Sequence, residues 1–489
     1  MTTRKSKTLI IILLLLLIHV VACAQYPLNQ QSDAPFDKQA GYRFEHLKPG
    51  PYKKTDNLFI CLAFSGGGTR AAALAYGVMQ ELRRTRIPVD GEEKSLLDEV
   101  DVISSVSGGS FTAAYYGSFG ERLFTDFRTK FLERNIQGAL LARVLNPVNL
   151  ARVASPWFGR IDLAAELYDR EIFEGATFAQ LEKNGRPFVI LNATNLGPGR
   201  RFEFTQEYFD AMGSRLDQYP VARAVAASSA FPFLLTPLSL KNYPLAKGYE
   251  PPWWYAGAEE PKDWFTRRYD AAKNLDFYKD KKNGYVHLMD GGLADNIGVR
   301  ALLDAYAHGF IQQKILDGDI KRLVFIVVNA RTEGEDRLSA KARPPGIITV
   351  AEKTATTAMD NYSFESVAQL RSELYSRVQA QMDITAANRR LARYCPGAPK
   401  FAEPQMVDMY VVEVNFKAVE FIGEDPRYYL DLPTTFCLSK EQIEKLVTIG
   451  PKLLNASPQY RCLLKVLQAE AEGWPRPKDC PAGAGIMGN

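Results

Sequence analysis

The run Leu62-Ala63-Phe64-Ser65-Gly66-Gly67-Gly68-Thr69-Arg70 stands between an apolar, strand-like stretch and an Ala-rich helical one. Three consecutive glycines, Gly66, Gly67 and Gly68, let main-chain N–H groups turn toward a ligand without interference from Cβ. A helix opening near Thr69 adds its own unpaired donors and the positive end of its dipole. Such a cradle holds negative charge, either a bound phosphate or an oxyanion formed in passing. The first would mark a nucleotide binder, the second an acyl-transfer site.

Downstream, Val100-Asp101-Val102-Ile103-Ser104-Ser105-Val106-Ser107-Gly108-Gly109-Ser110 reads as a strand that enters a sharp turn and then a helix. A nucleophile held at such an elbow needs small residues two before and two after it, so that the helix can pack close. Ser107 meets this rule, with Ser105 and Gly109 at those places. Ser105 would have Ile103 before it, Ser110 would have Thr112 after it, and Ser104 still belongs to the strand. The alternative for a Ser-rich turn before Gly-Gly is a plain helix cap.

A serine hydroxyl needs a base. Beyond the first 22 residues the imidazoles are His46, His287 and His308. His46 precedes the expected fold, His308 ends a helix before Gly309, and His287 sits in an apolar run where a structural role is the commoner one. A carboxylate is therefore the better candidate: Asp290, in Met289-Asp290-Gly291-Gly292, closes a strand and can project from the C-terminal edge of a sheet, where α/β enzymes build their sites. Alone, Asp-Gly-Gly is also an ordinary turn.

The elements that would position these residues alternate. Short β-rich runs (58–64, 100–104, 188–192, 286–289 and 323–328) are separated by helical stretches such as 70–84 and 297–307. This pattern predicts a central, mostly parallel sheet covered by helices, an α/β three-layer sandwich, over residues 57–330. Between about 243 and 285 the pattern gives way to a Pro-, Trp- and Tyr-rich insertion, with Pro251-Pro252-Trp253-Trp254-Tyr255 and Trp264-Phe265. It suits a membrane interface, a lid over an apolar substrate, or packing of an irregular loop on its own domain. Residues 331–489 read as a mainly helical extension: a charged connector to 345, a helix from 350 to 393, and a last helical stretch opened by a Ser439/Gln442 capping box.

The N-terminus reads as an export signal over residues 1–22. Arg4, Lys5 and Lys7 precede the apolar run Leu9–Ile18, which is short for a membrane span. These three cations account for most of the formal charge of +4, so the remainder gives no case for nucleic-acid binding. Val20-Val21-Ala22-Cys23 resembles a bacterial lipobox, which makes Cys23 a lipid anchor. Ala24 after it favours the outer membrane, facing the periplasm. Residues 23–56, polar and interrupted by prolines, read as a tether. Cys61 lies in an apolar run and reads as a small buried hydrophobe. Cys395, Cys437, Cys462 and Cys480 suggest two disulfides in an oxidising compartment. Their wide spacing, with no His among them, argues against zinc. No metal or other cofactor is expected, and nothing in the sequence sets the oligomeric state.

Taken in order, the glycine cradle, Ser105-Val106-Ser107-Gly108-Gly109 and Asp290-Gly291-Gly292 resemble the patatin-like phospholipases. The helix 71–82 with Gly77 at its centre, Ala226-Ala227-Ser228-Ser229-Ala230-Phe231-Pro232 and Asn296 extend the resemblance over residues 57–305. It implies a Ser107–Asp290 dyad without histidine, an acyl-enzyme intermediate, and an oxyanion hole at Gly66, Gly67 and Gly68. It further implies a lipid ester as substrate, and support of the cradle or contact with substrate by Arg70.

Two other readings stay open at this level. Gly66-x-Gly68-x-x-Ala71 also fits a relaxed dinucleotide fingerprint, although the stretch 86–94 reads as a polar connector where the next strand and its acid should be. A lipoprotein that keeps the fold as a non-catalytic binding or scaffold module is the other.

Overall fold

The computed structural model describes residues 25–50, 56–89, 91–332, 344–402 and 406–481, with positions 342, 483, 485 and 486 beyond them. The signal segment, Cys23 and most of the charged connector lie outside the described residues.

Apolar runs that read as strands do pair. The strands are β1 (Leu58–Phe64), β2 (Arg86–Val89), β3 (Glu92–Ser95), β4 (Val100–Val106), β5 (Phe188–Asn195), β6 (Arg200–Glu203), β7 (Leu238–Lys241), β8 (Tyr285–Asp290), β9 (Arg322–Asn329) and β10 (Asp408–Asn415). Eight of them form one sheet in the order β10-β9-β1-β4-β5-β8-β7, with β6 also paired to β5. The block from β10 to β5 is parallel. Every residue of β1, β4 and β5 is buried, which requires cover on both faces; β1 is apolar throughout, while β4 and β5 also carry buried polar residues such as Asp101, Ser104, Ser105 and Asn192.

Of the helices, those used below are α1 (Gly68–Arg84), α2 (Gly108–Phe119), α3 (Ile136–Leu145), α4 (Pro147–Val153), α5 (Arg160–Tyr168), α6 (Val221–Ser228), α7 (Arg267–Lys279), α8 (Val299–Ala307), α9 (Ile347–Tyr394) and α10 (Lys440–Ala456). The capping box expected at Ser439 and Gln442 opens α10. The long helix expected over 350–393 is α9.

The sheet is mostly parallel, as expected, with β8 antiparallel to β5, pairing Ala193 with Asp290, and β7 antiparallel to β8. Other expectations are corrected. The stretch 86–94 is a two-stranded hairpin outside the main sheet rather than a connector without strands. The C-terminal portion is mainly helical, as expected, and packs on the domain; it also supplies β10, a parallel edge strand beside β9. In addition, α10 packs backbone to backbone on α1: a Cβ at Gly77 would lie 2.3 Å from the Val447 carbonyl oxygen, so only glycine lets the two helices approach this closely.

The stretch read as a tether also packs on the fold. Tyr42, Phe44 and Leu47 are buried, the Tyr42 hydroxyl accepts from Val189 N–H at 2.8 Å, and Phe44 stacks on Phe310 at 4.4 Å between ring centroids. Apolar side chains spaced along a polar segment were enough to seat it. Two disulfides are replaced by one, Cys462–Cys480; Cys395 and Cys437 are free and exposed, and Cys61 is free and buried.

The aromatic insertion is mixed in character. Trp254, Tyr255 and Tyr278 are buried, and Tyr255 donates its hydroxyl to Asp276 on α7 at 2.6 Å. Trp253, Trp264 and Phe265 stay exposed. With β5, α7 and α8 the insertion walls a cavity of about 500 Å³ that reaches Leu293 and Ala294, just past the Asp-Gly-Gly turn. Neither Ser107 nor Asp290 lines that cavity.

Candidate active site

Ser107 sits at the junction of β4 and α2 with φ 49° and ψ −117°, one of three non-glycine residues with positive φ among the described residues. This backbone costs about 1–3 kcal/mol and persists only where its surroundings enforce it. The surroundings are specific. The Ser107 N–H donates to the Ser228 hydroxyl at 2.9 Å, and Ser228 in turn shares a 2.9 Å hydrogen bond with Ser110, which donates to Ser105 at 3.1 Å. The small residue required two after the nucleophile is explained by contact: a Cβ at Gly109 would lie 2.7 Å from the Ser65 carbonyl oxygen and from the Phe64 Cβ.

The competing serines are accounted for by the same network. Ser105 and Ser110 are fully buried and hydrogen-bonded beneath the elbow, and the Ser104 hydroxyl accepts from Asn192 at 2.9 Å. Ser107 alone of the four retains some exposure, 8%.

Asp290 arrives from the other side. Because β8 runs against β5, it enters from beyond the C-terminal end of the parallel strands and stops level with Ala193, one register position past Asn192, the partner of Val106. Asp290 is thereby placed beside the elbow, and the Ser107 side chain is among the groups that favour its ionised carboxyl. The Asp290 backbone is pinned by Ala230 and Thr194, which respectively accept from its N–H at 3.0 Å and donate to its carbonyl at 2.8 Å. Burial pushes the carboxyl up to about 7, partly offset by the Gly292 N–H, which donates to Oδ1 at 2.8 Å, and by Ser107. A carboxyl poised there exchanges protons readily near neutral pH.

The glycine cradle abuts both. A Cβ at Gly66 would lie 3.4 Å from the Ser107 Cβ and 2.5 Å from Asn296 Oδ1, and a Cβ at Gly108 would fall 2.0 Å from the Gly68 carbonyl oxygen. The Gly66 N–H donates to the Asn296 carbonyl at 2.8 Å, so this donor of the expected three is already engaged. The Gly67 and Gly68 N–H groups make no hydrogen bond to any of the described residues.

Arg70 is buried and braces the cradle from behind, donating to the Ala330 carbonyl at 2.9 Å, the Leu432 carbonyl at 2.6 Å and the Thr434 hydroxyl at 3.1 Å. The Thr69 N–H donates to Thr435 at 2.9 Å. Residues 432–435, far outside the motif region, thus hold the opening turn of α1. No motif pointed to them; contact with the cradle is the only signal. Asn296 joins the cradle to the Asp-Gly-Gly turn, since a Cβ at Gly292 would lie 2.8 Å from its Oδ1.

The histidines stand apart from this dyad. His287 is exposed and pairs through Nδ1 with Ser239 at 2.8 Å, where its apolar neighbours had suggested burial. His308 lines the cavity beside Trp254, with ring centroids 5.0 Å apart. Among the described residues no group of His, Cys, Asp and Glu could hold a metal ion.

Ser228 is the residue that motif reading passed over as a site residue. Ser228→Ala leaves the buried Ser107 N–H and Ser110 hydroxyl without that partner, so a loss of about 1–3 kcal/mol in stability is expected, read by thermal unfolding. A drop in kcat with little change in KM should accompany it.

These elements bring a strained serine, a buried carboxyl and a pair of unengaged backbone donors together at one sheet edge. The patatin-like phospholipase family model matches residues 62–303, which span all three motifs. No curated protein sequence matches the chain. Among solved structures, human GIVD cytosolic phospholipase A2 aligns at 12% identity and TM-score 0.44, covering 85% of this chain and 61% of that one. Its complex with methyl gamma-linolenyl fluorophosphonate aligns at 12% identity and TM-score 0.40, covering 85% and 60%. VipD from Legionella pneumophila aligns at 12% identity and TM-score 0.28, covering 87% and 70%. This chain therefore spans about three fifths of the length of the human enzyme it matches. Residues 62–303 form a domain of the patatin-like phospholipase family, a family of carboxylic ester hydrolases.

Proposed function

We propose that the protein is a lipid acyl hydrolase of phospholipase A or lysophospholipase type that works through Ser107 and Asp290. Ser107 Oγ attacks the ester carbonyl while Asp290 takes its proton. The oxyanion that forms is held by the N–H groups of Gly67 and Gly68, each worth about 2.7–4 kcal/mol of transition-state stabilisation. Collapse breaks the bond to the alcohol, which leaves with the proton from Asp290. Water then attacks the acyl-Ser107 ester with Asp290 as base, releasing the fatty acid and restoring the serine. Gly66 and Asn296 shape the hole, and Arg70 holds it in place.

One observation carries this reading: a strained serine at the elbow beside a buried carboxyl pushed up to about 7, next to two unengaged backbone donors. The dinucleotide reading fares worse, since the strand after α1 belongs to a detached hairpin rather than to the sheet. The export signal, acylation at Cys23 and a place at the outer membrane facing the periplasm are part of the same proposal. They put the enzyme where its substrate is.

Incubating the purified protein with phospholipids, lysophospholipids, neutral lipids and acyl thioesters, with Ser107→Ala as the blank, tests the activity. Release of fatty acid from at least one class is expected, lowered about 10⁴-fold or more in the blank. No release from any class would leave a non-catalytic lipid-binding or scaffold module.

A further inference from the structure

Between Arg134 and Arg160 the chain carries four arginines and no acidic residue. Within this stretch Leu141, Leu145, Val148, Leu150 and Trp157 are exposed, by 48–62%. Leu141 and Leu145 lie one turn apart on α3, and Val148 and Leu150 stand on α4 after the extended Asn146 that separates the two helices. The opposite side is seated: Leu140 is buried, while Val144 and Val153 pack on Phe158 and Leu163. An outward apolar patch of this size has no partner among the described residues, and monomeric proteins seldom leave one without use.

The segment is tied to the two sides of the candidate active site. At its start, the Ile136 N–H donates to Phe436 at 3.1 Å, next to Thr435, which accepts from Thr69 at the glycine cradle. At its end, the Ile161 N–H donates to the Thr236 hydroxyl at 3.2 Å. Thr236 follows the turn bearing exposed Phe233 and Leu234, three and four residues past Ala230, which holds the Asp290 backbone. The apolar face therefore spans from the oxyanion cradle to the base.

We infer that this face, α3 and α4 with Trp157, Phe233 and Leu234, docks on a lipid bilayer and sets the catalytic mouth against it. Leucines and a tryptophan enter the acyl boundary. Arg134, Arg143 and Arg170 all pair with Glu171 and Arg152 with Glu166, so four guanidinium groups share two carboxylates beside the face and leave a positive excess that favours an anionic surface. The path of the chain points the same way. The Tyr26 N–H donates to the Trp157 carbonyl at 2.6 Å, so the described chain begins beside this surface. The acylation proposed for Cys23 would insert into the same bilayer. The inference rests on the lipid-hydrolase reading of the site.

The test uses full-length protein with one N-terminus throughout, carrying Ser107→Ala for binding and the native serine for turnover. With vesicles of phosphatidylcholine and phosphatidylglycerol containing brominated acyl chains, tryptophan emission should be quenched, and Trp157→Phe should remove much of that quenching. Leu141→Asp/Leu145→Asp should lower vesicle affinity and vesicle hydrolysis about tenfold or more, with hydrolysis of a soluble short-chain ester unchanged within about twofold. Vesicles of phosphatidylcholine alone should bind more weakly. Quenching that is unaffected by Trp157→Phe and by the double variant would overturn the inference, as would a lipid-independent dimer that covers Trp157. Quenching at Trp157 without hydrolysis of any ester would sustain the docking face and sink the hydrolase reading. Hydrolysis without quenching would do the reverse.

Discussion

Asp290→Asn lowers turnover of a soluble ester by about 10³-fold or more while raising the thermal midpoint above pH 7. The two effects have one cause. Burial raises the Asp290 carboxyl toward about 7, which makes its ionised form both a competent base and a cost to the fold. A carboxyl whose folded-state pKa is raised keeps its stability contribution below the unfolded value near 3.8 and loses it as pH rises through about 7. Asparagine cannot ionise, yet its oxygen can still accept from the Gly292 N–H, so the variant escapes that loss. In the native enzyme, kcat/KM should fall about tenfold per pH unit below about 7, because only the ionised carboxylate can take the Ser107 proton. Stopped assays from pH 5 to 9 and calorimetry at pH 5 and 8 check both limbs. A slow variant that is also less stable at pH 8 would make its defect one of folding.

Gly108→Ala brings the largest structural effect. Its Cβ would lie 2.0 Å from the Gly68 carbonyl oxygen and 2.6 Å from the Gly68 nitrogen, an overlap of backbone with backbone that no side-chain rotation relieves. The elbow and the cradle must part, and a displacement of about 1 Å between nucleophile and oxyanion donors costs on the order of 10²-fold in rate. Stability should fall by about 3–5 kcal/mol, the range of severe core lesions. Gly284→Ala is the control, because a Cβ there meets nothing within 4 Å and its φ is not positive. It should melt within about 0.5 kcal/mol of the parent. Equal melting of both variants would mean that the cradle and the elbow are less tightly docked than their contacts imply.

Much of the parallel core was legible because β1, β5 and β9 carry continuous apolar runs and β4, though interrupted by Asp101, Ser104 and Ser105, is rich in β-branched residues. The direction of β8 was not, since a strand's sequence says nothing of its partner, and antiparallel entry is what sets Asp290 beside Ser107. The run Met409–Val414 has the β-branched character of a strand, but it lies among helical stretches and takes its place only through β9. The steric rule at the elbow singled out Ser107, and contacts at Gly108 and Gly109 give its physical reason. What no local pattern could show is the long-range support: Ser228 under the elbow, and Leu432 to Thr435 behind the cradle. Ser228 and Thr434 act through hydroxyls that no local pattern singles out, while Leu432 and Thr435 act through backbone carbonyls, which any residue supplies. The engagement of the Gly66 N–H is hidden for the same reason.

A fluorophosphonate ester reacts only with a serine whose hydroxyl is activated and whose oxyanion site is formed, so mapping its adduct by mass spectrometry tests the proposed chemistry at its first step. The expected result is one stoichiometric adduct on the peptide containing Ser107, abolished in Ser107→Ala and strongly slowed in Asp290→Asn. Folded protein that takes up no label, or takes it up on another residue, would contradict the assignment of Ser107 as the nucleophile.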